Sequence, residues 1–214
     1  MRNLFLCILP LLLFAPLLRA QVAAASAAVP LPAPARSGGM SLNDALAHRR
    51  SVRTFAATNL TLPEISQLLW SAQGITGEQG HRTAPSAHAQ YYLHLYLAQA
   101  EGFFEYIPAG HSLQKLSGKD LRGTLSTQEP VKTAPVVFLI AGEYDRAVKD
   151  FDQRGIRLVN LEAGHAAQNL LLQATALNLG AVPVGGIDPK QTAQAASLPA
   201  SITPIYVIPV GHAK

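Results

Sequence analysis

The amino-acid sequence predicts an α+β fold with a mostly antiparallel central sheet flanked by helices. Helical patterns come first along the chain, in residues 41–48 and 61–73. Strand-like runs follow, chiefly at residues 91–98 and 136–141, and they are mixed with further helical patterns. This order of elements is typical of α+β domains, in which the sheet is mostly antiparallel.

The N-terminus has the layout of a secretory signal peptide. Residues 1–20 contain an early arginine, an apolar run over residues 4–18 and an alanine at position 20. A membrane anchor is the alternative, but Pro10 and Pro16 interrupt the run, and about 15 apolar residues fall short of the roughly 20 that a spanning helix needs. We therefore expect cleavage, a periplasmic or secreted mature protein, and no stable membrane anchor afterwards.

Composition limits what the mature chain can do. The only cysteine lies within residues 1–20, so disulfides and thiol chemistry are not expected. Loss of Arg2 and Arg19 with no acidic residue lowers the formal charge from +4 to +2, which is too small to indicate nucleic-acid binding. Residues 21–39, rich in alanine and proline, predict a flexible linker. Residues 41–214 suit one domain with a single core.

Two helices open this domain. Ser41 is a candidate N-cap of the first helix, which ends near a cluster of arginines. Thr61 and Glu64 have the spacing of a capping box at the start of the second helix, and Gly74 marks its end. One face of the first helix carries the apolar residues Leu42, Ala45 and Leu46.

A long loop and several strands are predicted next. Residues 74–89 are rich in glycine, proline and serine and have no apolar periodicity, which is typical of a loop, often a functional one. Residues 91–98 and 136–141 predict strands, and the second is apolar enough to be buried on both faces. Residues 101–125 between them predict a hairpin arm followed by a short helix.

The last part of the domain begins with a helix predicted over residues 157–179. Its side chains are apolar nearly all round, which favours burial in a core or an interface, and Gly180 is expected to end it. A short helix at residues 189–196 and a strand at residues 202–210 complete the domain.

Three segments contain candidate binding residues. The first supplies guanidinium forks and a hydroxyl that suit a phosphate, although a solvated basic surface has the same composition. It comprises Arg49, Arg50, Ser51 and Arg53. In the second, Gly185 and Gly186 allow backbone N–H groups to approach a flat ligand, although a tight turn needs the same residues. The third, Pro85 and Ser86, lies in the long loop.

Together and in this order, the three segments resemble the flavin-binding nitroreductase family. The stretches LLWSAQGITG, RTAPSAHAQYYLHLYL, EGFFEYIPAGHSLQKL and GIRLVNLEAGHAAQNLLLQATALNLGAVPVGGI resemble its branch of SagB and ThcOx azoline dehydrogenases. The resemblance covers residues 41–212. It implies a nitroreductase-like fold, a homodimer, and FMN as the cofactor at the dimer interface.

The resemblance also assigns roles to residues. Arg49, Ser51 and Arg53 correspond to contacts with the FMN phosphate and ribityl chain, and Arg50 is a helper. The segment whose backbone N–H groups face flavin N5 and O4 corresponds to Pro183, Val184, Gly185 and Gly186.

The loop with Pro85 and Ser86 corresponds to one that often reaches the cofactor from the other subunit. The azoline dehydrogenases usually have glycine where this chain has His88. An imidazole there can exchange a proton near neutral pH, which makes His88 a candidate catalytic residue, although loop histidines more often fill space or face water. The seven histidines lack the spacing of a zinc motif, so no metal site is expected.

The predicted function is an FMN-dependent oxidoreductase that passes hydride through flavin N5 to or from a small organic substrate, such as a nitro or quinone acceptor. Two alternatives remain open. One is an azoline-type dehydrogenase that acts on a heterocycle or an amino-acid derivative. The other is a non-catalytic flavin-binding protein.

Overall fold

A computed structural model describes residues 28–214 of the chain. The predicted signal peptide and residues 21–27 of the predicted linker lie outside the described residues. Within residues 28–214 there are six α-helices: α1 Leu42–His48, α2 Leu62–Gln73, α3 Glu129–Thr133, α4 Tyr144–Phe151, α5 Arg154–Ala176 and α6 Pro189–Ala195.

The strands of the described residues form one sheet. They are β1 Val29–Pro30, β2 Leu93–Gln99, β3 Gly102–Ile107, β4 Ser112–Ser117, β5 Val136–Gly142, β6 Leu179–Ala181 and β7 Thr203–His212. Their order across the sheet is β1-β4-β3-β2-β5-β7-β6, and each neighbouring pair is antiparallel. The predicted α+β class with a mostly antiparallel sheet flanked by helices is confirmed.

The central strand β5 separates two apolar cores. All of its residues are buried, and consecutive side chains point to opposite faces of the sheet. Phe138 shares one core with Leu68 of α2 and Leu170 of α5. Val137 belongs to the other core, together with Val131 of α3. Helices therefore cover both faces of the sheet, as the continuous apolar sequence of β5 requires.

Local hydrogen bonds fix the first two helices where the sequence predicts them. Ser41 Oγ accepts a hydrogen bond from the Asp44 amide at 3.1 Å. Thr61 Oγ1 accepts one from the Glu64 amide at 3.4 Å, and Glu64 Oε2 accepts one from the Thr61 amide at 2.6 Å. This is the predicted capping box, and α2 ends at Gly74 as expected. The arginine cluster directly follows α1.

The long helix α5 departs from its prediction in three ways. It begins and ends about one turn earlier than residues 157–179. The chain leaves the helix through Asn178, which has a left-handed φ of 57°. Gly180 does not end α5 but lies within β6. The helix is also not apolar all round, because its exposed positions are mostly polar: Arg154, Arg157, Asn160, His165 and Gln168.

Part of the predicted flexible linker packs on the domain. Val29 and Pro30 pair with β4 as strand β1. The Leu31 amide donates a hydrogen bond to the His111 carbonyl oxygen at 3.0 Å, and the Ala35 amide donates one to Gln67 Oε1 at 2.8 Å. Residues 29–35 of the predicted linker therefore contact the domain through backbone hydrogen bonds.

Two further elements differ from the sequence analysis. Residues 102–117 form a complete hairpin of β3 and β4, and only the short 3-10 turn Arg122–Thr124 follows it. Helix α4 was not predicted. In the part of the chain that the structure describes, no helix is both long and apolar enough to cross a membrane.

Candidate functional site

The arginine segment lies against strand β6. The Val52 amide donates a hydrogen bond to the Ala181 carbonyl oxygen at 3.0 Å, and Ser51 forms a parallel bridge with Ala181. The Val52 side chain covers Gly180 so closely that a Cβ atom at Gly180 would lie 2.6 Å from Val52 Cγ1. Gly180 is thus required by this close approach, which places residues 49–53 beside the chain that leads into residues 183–186.

Within the part of the chain that the structure describes, the guanidinium groups of this segment have no acidic partner. Arg50 Nη1 donates to the carbonyl oxygens of Ala47 at 3.0 Å and Arg49 at 2.8 Å, and Arg53 Nη1 makes a long contact of 3.5 Å with the Ser51 carbonyl oxygen. Among residues 28–214, no carboxylate lies within 4 Å of Arg49, Arg50 or Arg53. Three uncompensated cations in five positions suit an anionic group such as a phosphate.

The glycine segment presents unused backbone donors. Val184 is fixed to β7 by two hydrogen bonds with Val207, at 2.9 and 3.0 Å. The carbonyl oxygens of Gly185 and Gly186 accept from the Ile187 amide and the Gln128 side chain. The amides of Gly185 and Gly186 find no acceptor in the described part of the chain, and both residues are exposed. These donors are available to a flat ligand, as the sequence predicts.

The loop with Pro85 and Ser86 lies elsewhere in the protomer. Ser86 Oγ donates a hydrogen bond to Glu162 Oε2 at 2.7 Å and accepts one from the Tyr91 amide at 2.9 Å. Glu162 precedes the end of α5 by 14 residues, or about 21 Å along the helix axis. No hydrogen bond between described residues joins this loop to the arginine or glycine segments, which themselves adjoin each other.

His88 has an unusual backbone conformation. Its φ of 49° and ψ of 28° lie in the left-handed region that favours glycine. Glycine would adopt these angles without steric cost, whereas histidine does not. The exposed imidazole packs edge-to-face on Phe151, with ring centroids 5.2 Å apart. Its catalytic role stays a prediction.

Two charged residues near the loop were missed by the sequence analysis. Glu162 is only 2% exposed, and burial raises the pKa of its carboxyl group. Arg82 donates to Gln73 Oε1 at 3.0 Å, and its guanidinium lies 4.5 Å from the centroid of the Tyr91 ring. A carboxylate at an inward position of a helix was the signal available in the sequence.

A second polar cluster lies on β2, β3 and the end of β5. His94 Nδ1 is 2.7 Å from Glu105 Oε1, and its Nε2 is 3.4 Å from Glu143 Oε1. The hydrogen bond with Glu105 raises the pKa of the His94 imidazole. The three residues line a cavity of about 710 Å³. Neither this cluster nor any other group of His, Cys, Asp or Glu side chains among residues 28–214 is arranged to hold a metal ion.

Known proteins are similar to this chain in sequence and in fold. The chain matches the model of the Nitroreductase family over residues 46–212. A Methanocaldococcus jannaschii protein assigned to the nitroreductases is 36% identical over an alignment of 181 residues, and the match covers 80% of this chain and 90% of that protein. A Ralstonia eutropha structure assigned to the nitroreductases has a TM-score of 0.83 and 31% identity, and the match covers 87% of this chain and 90% of that one.

A chain of the Escherichia coli microcin synthetase complex is also similar, with a TM-score of 0.68 and 20% identity over 86% of this chain and 76% of that chain. At that identity the likeness concerns the fold alone. The family match spans residues 46–212, which include the arginine, loop and glycine segments. This chain therefore belongs to the nitroreductase family, whose members are typically flavin-dependent oxidoreductases.

Proposed function

We propose that this protein is an FMN-dependent oxidoreductase that acts on a small organic substrate, such as a nitro compound or a quinone. The observation that carries the proposal is the proximity of two kinds of free donor. One segment has guanidinium groups with no carboxylate partner among the described residues. The segment beside it has glycine N–H groups with no acceptor among the same residues. When bound, FMN supplies hydride transfer at its N5 atom.

The residues of this chain fit the two ends of that cofactor. Arg49 and Arg53 hold the phosphate by charge-assisted hydrogen bonds, and Arg50 adds positive charge. The N–H groups of Gly185 and Gly186 donate to the ring edge, where fixed dipoles stabilise negative charge. The chain has no G-x-G-x-x-G motif, so its own sequence does not indicate a dinucleotide-binding fold.

The proposal includes a homodimer. Pro85 and Ser86 lie about 21 Å along α5 from the end of the helix that leads to the glycine segment, so a second copy can supply this loop to the site. Large apolar side chains are exposed on α1 and α5, two helices that contact each other. They are Leu42, Leu46, Ile156 and Leu161.

The purified protein tests this function directly. We expect a yellow protein that releases FMN, and not FAD, on denaturation, and that sediments as a dimer. Reduction by NADH, NADPH or dithionite, followed by addition of a nitroaromatic compound or a quinone, should reoxidise the flavin. A colourless protein that does not take up added FMN would refute the proposal. Bound FMN that no acceptor reoxidises would instead indicate a non-catalytic flavin-binding protein.

A further inference from the structure

A buried carboxylate in the middle of α5 has no role in the proposed chemistry. Glu162 is 2% exposed, and its Oε2 accepts hydrogen bonds from Ser86 Oγ at 2.7 Å and from the Tyr92 amide at 3.4 Å. Its Oε1 is buried and has no hydrogen-bond partner in the described part of the chain. Burying a carboxylate is unfavourable, and an apolar side chain of similar volume would serve packing alone at least as well.

The Ser86 hydroxyl is committed to this carboxylate. A serine hydroxyl has a single proton to donate, and Ser86 donates it to Glu162. The same oxygen accepts a hydrogen bond from the Tyr91 amide at 2.9 Å. Ser86 therefore has no hydroxyl proton left for a cofactor while the bond to Glu162 persists. Its hydroxyl links the loop to α5, and any cofactor contact comes from the rest of the loop.

The loop that this link holds has a strained backbone. Three of the four residues from His88 to Tyr91 have left-handed φ angles, namely 49° at His88, 55° at Ala89 and 52° at Tyr91. Residues other than glycine keep such angles only where surrounding contacts hold them. The Ser86 hydroxyl and the Glu162 carboxylate bind two consecutive amides where this turn ends, those of Tyr91 and Tyr92.

We propose that Glu162 is a positioning residue. By accepting hydrogen bonds from the Ser86 hydroxyl group and the Tyr92 amide, it holds residues 86–92 in the conformation that contacts the cofactor. The cofactor part of this inference rests on the proposed function, whereas the loop part concerns the protein alone. Arg82 of the loop and Arg146 of α4 are the cations that act on this carboxylate. They favour its ionised form, which accepts both hydrogen bonds.

Hydrogen–deuterium exchange of the apo-protein, read by mass spectrometry, tests the loop. Four proteins are compared with wild type: Ser86→Ala, Glu162→Ala, Glu162→Gln and the Ser86→Ala/Glu162→Ala double variant. Exchange in a peptide covering residues 87–93 should accelerate on the order of tenfold in both single alanine variants, since a buried partner is lost. The double variant should exchange no faster than the faster single variant. Glu162→Gln should keep most of the protection, because its amide oxygen accepts the same bonds.

The dissociation constant of FMN, measured on the same proteins, tests the cofactor part. It should rise in the same order as the exchange rates and with the same lack of additivity. Wild-type exchange in Glu162→Ala, or independent effects of the two alanine substitutions, would overturn the inference. If no protein binds FMN, the proposed function fails while the apo-protein exchange still decides the role of Glu162.

A peptide from β5 serves as the control for folding, and it should stay protected in every variant. Should Glu162→Ala lose this protection, Ser86→Thr and Ser86→Ala decide instead. Ser86→Thr retains a hydroxyl and should preserve protection of residues 87–93, whereas Ser86→Ala should lose it. Equal exchange in those two variants would overturn the inference.

Discussion

Replacing Arg49 or Arg53 by glutamine should weaken FMN binding more than the same change at Arg50. Arg49 has no side-chain partner in the described residues, and Arg53 makes only a 3.5 Å contact with a carbonyl oxygen. Each lost charge-assisted hydrogen bond is worth about 1.5 to 3 kcal/mol, which corresponds to a dissociation constant raised roughly 10- to 150-fold. Arg50 Nη1 already donates to two carbonyl oxygens, so Arg50→Gln should change the constant only about fivefold or less.

The assay is titration of the apo-protein with FMN, followed by flavin fluorescence at low and high salt. Riboflavin, which lacks the phosphate, is titrated in parallel. The substitutions should weaken FMN binding, reduce its salt dependence and leave riboflavin binding unchanged, because they remove charge that faces the phosphate. Lys149→Gln is the matched control, since Lys149 is exposed on α4 and forms no ion pair within residues 28–214.

Three outcomes would refute the reasoning. Wild-type affinity for FMN in both Arg49→Gln and Arg53→Gln would make the cluster an ordinary solvated surface. An equal loss of affinity for FMN and for riboflavin would mean that the arginines support the pocket of the flavin ring and do not bind a phosphate. If Lys149→Gln weakened FMN binding as much as the arginine variants do, the loss of affinity would be explained by the change in net charge alone.

Three further changes test other parts of the structure. Gly180→Ala places a methyl group 2.6 Å from Val52 Cγ1. It should lower the free energy of unfolding, measured in urea, by about 1 to 3 kcal/mol, and unchanged stability would contradict this close approach. The hydrogen bond with Glu105 raises the pKa of His94, so its stabilising charge is present below the unfolded pKa of about 6.5 and is lost as pH rises through the folded value. The difference in unfolding free energy between wild type and His94→Gln should therefore shrink as pH rises above about 6.5, and a constant difference would argue against the ion pair. His88→Gly removes left-handed strain on the order of 1 kcal/mol and should raise Tm, and it should lower turnover of a quinone if the imidazole is catalytic. A lower Tm would show that the His88 ring packing outweighs the strain, and unchanged turnover would exclude a catalytic imidazole.

Much of the helical structure could be predicted because its signals are local. The Ser41 cap and the Thr61 capping box involve residues three apart, so the sequence contains both partners of each hydrogen bond. Gly180 shows where local reasoning fails. It follows a helix as an ordinary C-terminal glycine would, yet it is required by Val52, a residue far away in the sequence that packs against β6.

The arginine and glycine segments of the candidate site could be proposed from the sequence because their residue types suggest phosphate and backbone binding without knowledge of the fold. Their role in binding stays a prediction. Glu162 was missed because a single carboxylate in a helix usually faces solvent, although its inward position on α5 was a signal of the burial that the structure shows. Helix α4 was missed because its short sequence, YDRAVKDF, has few apolar residues and contributes a single buried alanine, Ala147.

Helix α5 connects the separate parts of the site. Its C-terminal end leads through Asn178 into β6 and then into the N–H groups of residues 183–186, while Glu162 in its middle holds the Ser86 loop. Glu162 lies about 21 Å along the helix axis from the end of α5. In the homodimer that we propose, the glycine donors of one copy and the Ser86 loop of the other would form one site. The residues of α5 would then contribute to both sites, by leading into the glycine donors of one and by positioning the loop of the other.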